Sequence, residues 1–485
     1  MFKKFRVIAV VVLLCAPILQ AQTATDINLE RLAQAVNAIG EDRLSQAEDL
    51  LNSVLATLPN DADALNLLGV VRAKQNRSAE AERLFKRAIA RSPSHIGAHI
   101  NLGELLSTSN RPAEAMTILV RAHQLAPNRP EINLNLARLY GEQRNYEEAY
   151  RFLRRVPREA LSSETEETQV EFALLLSKAG FNEEALNILT EAQQKTPGSF
   201  PVLYGLGVVT AAQKQFKKAE EHLSAALAIK PDDVVTLRAL ARVARLSGNP
   251  EKALSYLVKA RRLAPNSPAV LYDFGITAFQ MDLFLDALPV FEQLHRSHPR
   301  EPGYLYALAA VRWRKGETVE TARLMNNYIA LQPRDPAGFY LLGAALLQQD
   351  LFVKARAAFE RSLSLKADPQ TEYLLGVSLE KLGQRTAAIE RFKRVIRTRP
   401  DHAAAFSAIG SAYREAGNYT EARAALERAV ELDPNDLRAN YQLGLVYAKL
   451  GDAEAAKRLF ARADDLRAQQ RNQESVVLKL TDPPQ

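Results

Sequence analysis

Apolar residues recur along most of the chain at intervals of three and four, the spacing of one face of an α-helix. The apolar stretches come in pairs, with a short polar or glycine-containing turn inside each pair. A proline usually follows the second stretch, and proline cannot continue a helix. The pattern therefore predicts pairs of short amphipathic helices, and it contains no alternating segments that would predict a β-barrel.

The helix pairs repeat with a period of 34 residues. We number each unit from 1 to 34 so that its proline stands at position 32. In all thirteen units position 8 is then glycine or alanine, and position 24 is large and apolar. Position 20 is alanine except at Thr321. The prolines that fix the period are Pro59, Pro93, Pro127, Pro197, Pro231, Pro265, Pro299, Pro333, Pro400 and Pro434.

These residue types have a physical reason. A small residue on each helix lets the two backbones of a pair approach closely, and the large residue at position 24 fills the space around that contact. One helix pair cannot bury its apolar face alone, so consecutive units must stack. The sequence therefore predicts an all-α repeat protein rather than several globular domains.

The pattern resembles the tetratricopeptide repeat over residues 28–470, which make thirteen units. The resemblance implies an α-solenoid, a right-handed superhelix of about thirteen helix-turn-helix units of 34 residues. In this family the first helix of each unit lines a concave groove through positions 2, 5, 9, 12 and 13. Members mostly bind other proteins there and act as scaffolds.

One irregularity interrupts the period. The fourth unit has no proline at position 32 and carries Pro157 early, and two extra residues precede the fifth unit. We interpret residues 157–165 as a hinge between units 1–4, at 28–163, and units 5–13, at 164–470. The alternative is a longer loop that leaves the stack continuous.

The start of the chain has the form of a secretory signal peptide covering residues 1–21. Lys3, Lys4 and Arg6 give it a positive end, an apolar run spans 7–19, and Ala21 provides a small residue for cleavage. The apolar run is too short to span a membrane. An uncleaved N-terminal anchor is the alternative. We therefore expect an exported protein, periplasmic or extracellular in a bacterial envelope, without an integral membrane span after cleavage.

Short segments flank the repeats. Residues 22–27 are predicted to be a linker, and the last helix is predicted to run to about Ser475. Residues 471–485 then comprise a helix extension and a C-terminal tail, which is mobile or forms a short docking strand.

Composition and charge limit the kinds of partner and covalent cross-link that the protein can have. The chain has 63 Lys and Arg against 56 Asp and Glu, a formal net charge of +7. Loss of residues 1–21 removes three basic residues and leaves +4. This weak balance does not indicate nucleic acid, and we expect no nucleic-acid partner. Cys15 is the single cysteine, so no disulfide framework is possible.

No motif indicates catalysis. His95 and His99 are four residues apart but lie at a predicted junction, and His295 and His298 lie at a predicted helix end. Neither pair has an HExxH frame or a third ligand, so we interpret them as capping or solvent-facing residues. No GxSxG motif or phosphate-binding glycine loop occurs. We expect no enzyme activity, no metal and no cofactor.

The resemblance allows the groove to be assigned residue by residue. The seventh unit has Arg238, Arg242 and Arg245 at positions 5, 9 and 12, on one helix face. Like charges at this spacing do not stabilise a helix, and each guanidinium can bind a carboxylate or sulfate through two hydrogen bonds. We predict a clamp for an acidic peptide, a C-terminal carboxylate or an anionic polysaccharide. Pairing with acids of neighbouring units is the alternative.

Two further groove features are predicted. Units 8–10 form an apolar strip with a tyrosine at each position 5, which fits either partner binding or packing between repeats. Position 6 carries asparagine in units 3 and 4, which resembles an asparagine ladder that holds a peptide backbone. The strip comprises Tyr272, Phe279, Tyr306, Trp313 and Tyr340, and the ladder comprises Asn101 and Asn135.

These features favour a non-catalytic scaffold or adaptor of the bacterial cell envelope. It is expected to bind an extended or helical segment of a partner protein in the groove, and the arginines suit an acidic segment. The alternative is an anionic polysaccharide-binding scaffold of an exopolysaccharide secretion or assembly system.

Overall fold

The computed structural model describes the backbone of residues 24–480 and the side chains of residues 26–469. The predicted signal peptide at 1–21 and the end of the tail at 481–485 lie outside these residues. The described residues form 27 α-helices and contain no strand. They divide into two compact parts, an N-terminal part ending at Asn249 and a C-terminal part starting at Pro250.

The N-terminal part consists of consecutive helix pairs, in which the two helices of one repeat pack against each other and the second packs against the next repeat. Its helices are α1 (Ala24–Gly40), α2 (Leu44–Thr57), α3 (Ala62–Lys74), α4 (Ser78–Arg91), α5 (Ile96–Thr108), α6 (Pro112–Leu125), α7 (Pro130–Glu142), α8 (Tyr146–Leu153), α9 (Arg158–Ser162), α10 (Glu166–Lys178), α11 (Asn182–Lys195), α12 (Phe200–Ala212), α13 (Phe216–Ile229) and α14 (Val234–Leu246).

The C-terminal part has the same construction from α16 onward, and α15 precedes its first complete pair. Its helices are α15 (Pro250–Leu263), α16 (Pro268–Gln280), α17 (Phe284–Ser297), α18 (Pro302–Arg314), α19 (Thr318–Leu331), α20 (Pro336–Gln348), α21 (Phe352–Leu365), α22 (Pro369–Lys381), α23 (Arg385–Thr398), α24 (Ala403–Glu415), α25 (Tyr419–Leu432), α26 (Leu437–Leu450) and α27 (Ala453–Leu480). The predicted all-α solenoid of helix pairs is therefore confirmed.

The core follows the repeat positions that the sequence singles out. The residue at position 20 is buried in every unit, including Thr321, which replaces the usual alanine. Position 24 is also buried throughout, except at Phe460 in the last unit, which is half-buried. At the opposite end of the stack, the polar residue Gln34 at position 7 of the first unit is exposed. Terminal units of a solenoid present such polar positions to water.

The irregular segment after the fourth unit contains a short helix that the repeat pattern does not predict. Helix α8 ends at Leu153, and α9 follows directly after Pro157. Leu161 of α9 is buried, and it belongs to one continuous cluster of buried apolar residues that runs from Ala35 to Val209. The apolar core is thus uninterrupted across residues 157–165. Hinge motion at this segment stays a prediction.

Both ends of the stack are more helical than expected. Helix α1 begins at Ala24, inside the predicted 22–27 linker. Helix α27 continues past Ser475 to Leu480, so residues 476–480 are helical rather than a strand. None of the described helices combines the length and apolar character that crossing a membrane requires.

Candidate functional site

The arginine row lies on α14, the last helix of the N-terminal part. Helix α14 begins at an Asp233 cap, whose carboxylate accepts a hydrogen bond of 2.7 Å from the backbone N–H of Thr236. Arg242 is exposed, and Arg238 and Arg245 are half-buried. The structure thus places all three predicted arginines on one helix with their charged side chains at the surface.

Two exposed apolar residues flank the arginines on the same helix. Val235 and Leu246 occupy positions 2 and 13, both of which the family resemblance assigns to the groove. Their exposed fractions are 52% and 49%, high for branched aliphatic side chains. Sequence reasoning missed both residues, although their repeat positions were the available signal. The α14 surface therefore combines cationic and apolar groups.

The fourth unit has an arginine at the same repeat position as Arg242, and that arginine forms an ion pair with the next unit. Arg138 occupies position 9 of the fourth unit, and its Nε donates to Glu171 Oε1 of the fifth unit at 2.8 Å. Arg242, at position 9 of the seventh unit, has no such hydrogen bond or ion pair among the described residues of the N-terminal part, and neither has Arg245. Neighbouring acids of that part therefore leave these two guanidinium groups available.

Tyr204 on α12 reports the local charge. Burial raises the pKa of Tyr204 and the negative charge of Asp233 raises it further, whereas the positive charges of Arg238 and Arg242 lower it. The two guanidinium groups thus lie close enough to the Tyr204 hydroxyl to affect its ionisation. The phenol therefore lies near both the Asp233 carboxylate and the two arginines.

The tyrosines of the predicted apolar strip belong mainly to the packing inside each repeat. Tyr272 lies 6.0 Å from the ring of Phe291, and Tyr340 lies 6.4 Å from the ring of Phe359. In both pairs position 5 contacts position 24 of the same unit. Burial accordingly raises the pKa of Tyr306 and of Tyr340. Tyr272 also contacts the next repeat, since its ring centre lies 5.5 Å from that of Tyr304. Packing within and between repeats therefore involves these tyrosines, and partner binding by the strip stays a prediction.

The other two aromatics of the strip are also half-buried. The ring centre of Phe279 lies 5.9 Å from that of Phe284, the first residue of the second helix of the same unit. Trp313 packs against the apolar cluster that includes Ala345 and Leu346. The Trp313 Nε1 is buried and has no acceptor among the described residues. Trp313 thus packs partly against the core, and the rest of its side chain is accessible.

The two predicted asparagines have different surroundings. Asn101 is buried, and its Nδ2 donates to Oδ1 of Asn66 at 2.9 Å. Asn66 belongs to the preceding unit, so this bond joins two repeats. Asn135 is half-buried and accepts a hydrogen bond of 3.2 Å from Arg138. The Asn101 amide is thus already used within the stack.

The histidines are partly as predicted. His95 and His402 each cap a helix, accepting from the backbone N–H of Ala98 and Ala405 at 3.0 and 3.1 Å. His99 is neither a cap nor exposed, because it is buried and its Nδ1 lies 3.0 Å from the His95 carbonyl oxygen. Among the described residues no group of three His, Cys, Asp or Glu side chains is arranged to hold a metal ion.

The fold and the groove surface define a helical repeat protein of the solenoid class. Family models described as tetratricopeptide repeat match most of the chain, and the chain belongs to the tetratricopeptide repeat family. Members of this family are generally protein-interaction scaffolds, and the repeat fold is typically non-catalytic. The matched residues are 32–96, 272–336, 319–371 and 373–436 for one model, 72–122, 108–164 and 413–480 for a second, and 199–266 for a third.

Individual relatives are distant. The chain is 24% identical over 264 residues to cellulose synthase operon protein C of Pseudomonas fluorescens (strain SBW25), covering 50% of this chain and 20% of that protein. It is 23% identical over 214 residues to BBSome complex member BBS4 of Bos taurus, covering 44% and 41%. Among solved structures, the APC/C hetero-tetramer Cut9-Hcn1 is 13% identical with a TM-score of 0.45, covering 88% of this chain and 96% of that chain.

Proposed function

We propose that this protein is an exported, non-catalytic scaffold of the bacterial cell envelope that binds a segment of a partner protein along the first helices of its repeats. Membership of a family of interaction scaffolds supports the binding role. The basic and apolar start of the chain supports export. The binding mode is many weak contacts along a preformed surface.

The α14 surface is the observation that carries this proposal. Arg242 and Arg245 have no ion-pair partner among the described residues of their own part, and exposed Val235 and Leu246 lie at the two ends of the row. A guanidinium binds a carboxylate through two hydrogen bonds, and apolar side chains bind other apolar groups. The fitting ligand is therefore a peptide segment in which acidic and apolar residues are interspersed.

A second candidate is a scaffold that binds an anionic polysaccharide. The match to cellulose synthase operon protein C over half of this chain favours it. The arginines suit a carboxylated or sulfated sugar equally well. Exposed Val235 and Leu246 favour the peptide, because a hydrophilic sugar chain gains little from aliphatic contacts.

The two candidates are separated by a binding measurement on purified protein. Fluorescence anisotropy would compare labelled peptides with alternating acidic and leucine residues, the same peptides with glutamine in place of glutamate, and acidic oligosaccharides. We expect the acidic apolar peptide to bind best and to weaken as salt rises. Preference for the oligosaccharides would favour the second candidate, and binding of none of these ligands would contradict both.

The double substitution Arg242→Glu with Arg245→Glu tests the site itself. Charge-assisted hydrogen bonds contribute about 1.5–3 kcal/mol each, so we expect a loss of peptide affinity of at least about tenfold. Arg83→Glu with Arg91→Glu is the matched control, because both arginines are exposed on α4 and the change in net charge is the same. Equal losses in the two variants would show a general charge effect and no site on α14.

Export has its own test. The full chain, expressed in a Gram-negative bacterium, is expected in the periplasmic or extracellular fraction with a new N-terminus after Ala21. Mass spectrometry of the N-terminal peptide measures this directly. Recovery in the membrane fraction with residues 1–21 retained would indicate the anchored alternative, and recovery in the cytoplasm would contradict export.

A further inference from the structure

A row of exposed apolar side chains lies away from the groove positions, at the start of the second helices in units 8–10. Leu285, Val319 and Val353 occupy position 18, and their exposed fractions are 83%, 72% and 62%. Position 18 in the other ten units is small, polar or charged. Those residues are Ser45, Ala79, Ala113, Glu147, Glu183, Lys217, Glu251, Thr386, Thr420 and Glu454.

Direct contacts hold the three turns next to each other. The Arg314 Nη2 donates to Asp282 Oδ1 at 2.7 Å, which joins units 8 and 9. The Gln349 Nε2 donates to the Thr318 carbonyl oxygen at 2.9 Å, which joins units 9 and 10. The Arg314 guanidinium also lies 5.2 Å from the ring centre of Phe284. The three position-18 side chains therefore form one continuous row and are not scattered surface residues.

The two outer units of the row carry nearly the same tetrapeptide. Residues 283–286 read Leu-Phe-Leu-Asp, and residues 351–354 read Leu-Phe-Val-Lys. The first leucine of each tetrapeptide is also exposed, and the exposed fractions of Leu283 and Leu351 are 36% and 39%. Both Phe side chains are half-buried beneath it. The apolar surface is thus symmetric about the ninth unit, whereas the charge that follows it is opposite at the two ends.

The opposite charges have no partners of their own. Asp286 and Lys354 are both exposed, and neither side chain makes a hydrogen bond or ion pair with the described residues of the C-terminal part. Of the other acids beside the row, Asp282 is paired with Arg314 and Glu320 is paired with Arg323, whereas Asp350 is exposed and unpaired among the described residues of this part. Asp286 and Lys354 are distinguished by occupying the same repeat position, 19, at the two ends of the row. A twofold axis at the middle of the row would place the Asp286 of one copy opposite the Lys354 of the other.

We infer that this row is an interface between two copies of the chain, related by a twofold axis at Val319. In this arrangement residues 283–286 of each copy face residues 351–354 of the other, and Val319 meets Val319. A twofold contact is self-complementary, so both Asp286–Lys354 pairs form at once. Three repeats offer a small patch, and we expect a dimer that dissociates at about micromolar concentration.

Sedimentation velocity of the full chain over a range of concentrations tests this inference. The expected result is a monomer–dimer equilibrium that Val319→Glu shifts to monomer, because the substitution places two carboxylates at the axis. Val258→Glu is the matched control, since Val258 is also an exposed valine of the C-terminal part but lies outside the row. A wild-type chain that stays monomeric, or a dimer that survives Val319→Glu, would overturn the interface.

Charge exchange tests the twofold register. Asp286→Lys alone and Lys354→Asp alone each place like charges opposite one another, so each is expected to weaken the dimer several-fold, more strongly at low salt. The combined variant restores both pairs with reversed sign and is expected to recover wild-type dimerisation. The register would be overturned if neither single substitution weakened the dimer. It would also be overturned if the combined variant dimerised as weakly as the sum of the two single effects predicts. Circular dichroism verifies that each variant keeps its helices.

Discussion

At the scale of single residues, positions 8 and 24 of each repeat are matched in size. All five units with phenylalanine at position 24 have glycine at position 8, and none has alanine there. A Cβ added at Gly376 would lie 2.4 Å from a ring carbon of Phe392, closer than van der Waals contact allows. The flat phenylalanine ring therefore fits only where the residue at position 8 has no side chain. The other four pairs are Gly69–Phe85, Gly275–Phe291, Gly343–Phe359 and Gly444–Phe460.

The twelfth unit also has glycine at position 8, but it pairs Gly410 with Leu426. Glycine thus also occurs opposite leucine, but alanine occurs only opposite leucine or methionine, as at Ala309 and Met325. The rule therefore runs in one direction: phenylalanine at position 24 requires glycine at position 8.

The substitution Gly376→Ala tests this requirement. Alanine favours a helix over glycine by up to about 1 kcal/mol, but forcing a methyl group against a packed ring costs about 1–3 kcal/mol, so we expect net destabilisation. Phe392→Leu is expected to cost less in the Gly376→Ala background than in the wild type. Urea denaturation followed by circular dichroism measures both effects.

Gly40→Ala is the control for the Gly376 experiment, because a Cβ there meets nothing within 4 Å. We expect it to leave stability unchanged or to raise it slightly. Strictly additive effects of Gly376→Ala and Phe392→Leu would contradict the size match.

A second residue-scale prediction concerns the ion pair that joins the first two repeats. Arg72 donates to both carboxylate oxygens of Glu48, at 2.5 and 2.6 Å, and together with Gln75 it lowers the pKa of Glu48 from 4.5 to about 2. A lowered folded-state pKa stabilises the protein above pH 4.5, and this contribution is lost as the pH falls toward 2. Glu48→Gln should therefore destabilise by about 1 kcal/mol at pH 7 and by less at pH 3.

Thermal denaturation of the wild type and Glu48→Gln at the two pH values measures this contribution. Glu183→Gln is the control, since Glu183 is exposed and its side chain makes no bond with the described residues of the N-terminal part. A Glu48→Gln effect of the same size at pH 3 and pH 7 would show that the charge is not responsible.

At the scale of elements, the turn between the two helices of a repeat has one fixed conformation. Position 15 has a positive φ in all thirteen units, and in seven of them it is not glycine, with φ between 57° and 61°. This left-handed conformation costs most residues roughly 1–2 kcal/mol, whereas glycine adopts it freely. Five of the seven residues are aspartate or asparagine, which tolerate this conformation, so the strain is expected chiefly at Arg144 and Lys214.

Arg144→Gly is expected to relieve that strain. Arg144 has φ of 60° and is exposed, and its side chain makes no bond with the described residues of the N-terminal part. We expect stabilisation of up to about 1 kcal/mol, less than the full strain because glycine also gains freedom in the unfolded chain. The midpoint of urea denaturation measures it. Gly180→Ala, where φ is 95°, is the converse control and should destabilise. Destabilisation by Arg144→Gly would contradict the strain.

The sequence period predicts the helices well because each repeat packs in the same way. It does not predict α9, since five residues after Pro157 contain no repeat of the pattern. It also places the arginines on one face of α14 without deciding whether they are paired. That outcome depends on distances between repeats, as Arg138 shows by reaching Glu171 of the next unit. For the same reason, the bond between Asn66 and Asn101 was not predicted.

At the scale of the whole molecule, a solenoid is stabilised by contacts within each repeat and between neighbouring repeats. The fragment 268–485 begins at α16 and contains units 8–13 complete. It therefore keeps every contact inside and between those six repeats. We expect it to fold alone, with the same helical circular dichroism per residue as the same units have in the full chain, and to unfold cooperatively in urea.

The fragment 284–485 is the matched comparison, because it removes only α16 and the turn that follows it. Phe291 on α17, fully buried beside Gly275 of α16, then becomes exposed to water. Burying a phenylalanine side chain contributes about 1.5–3 kcal/mol, so the shorter fragment should unfold at a clearly lower urea concentration. Equal midpoints, or an unfolded 268–485 fragment, would contradict a stability built from repeat-by-repeat contacts. A difference confined to the first remaining repeat, seen by hydrogen exchange, would show that each helix pair depends on its own contacts and those of its immediate neighbours.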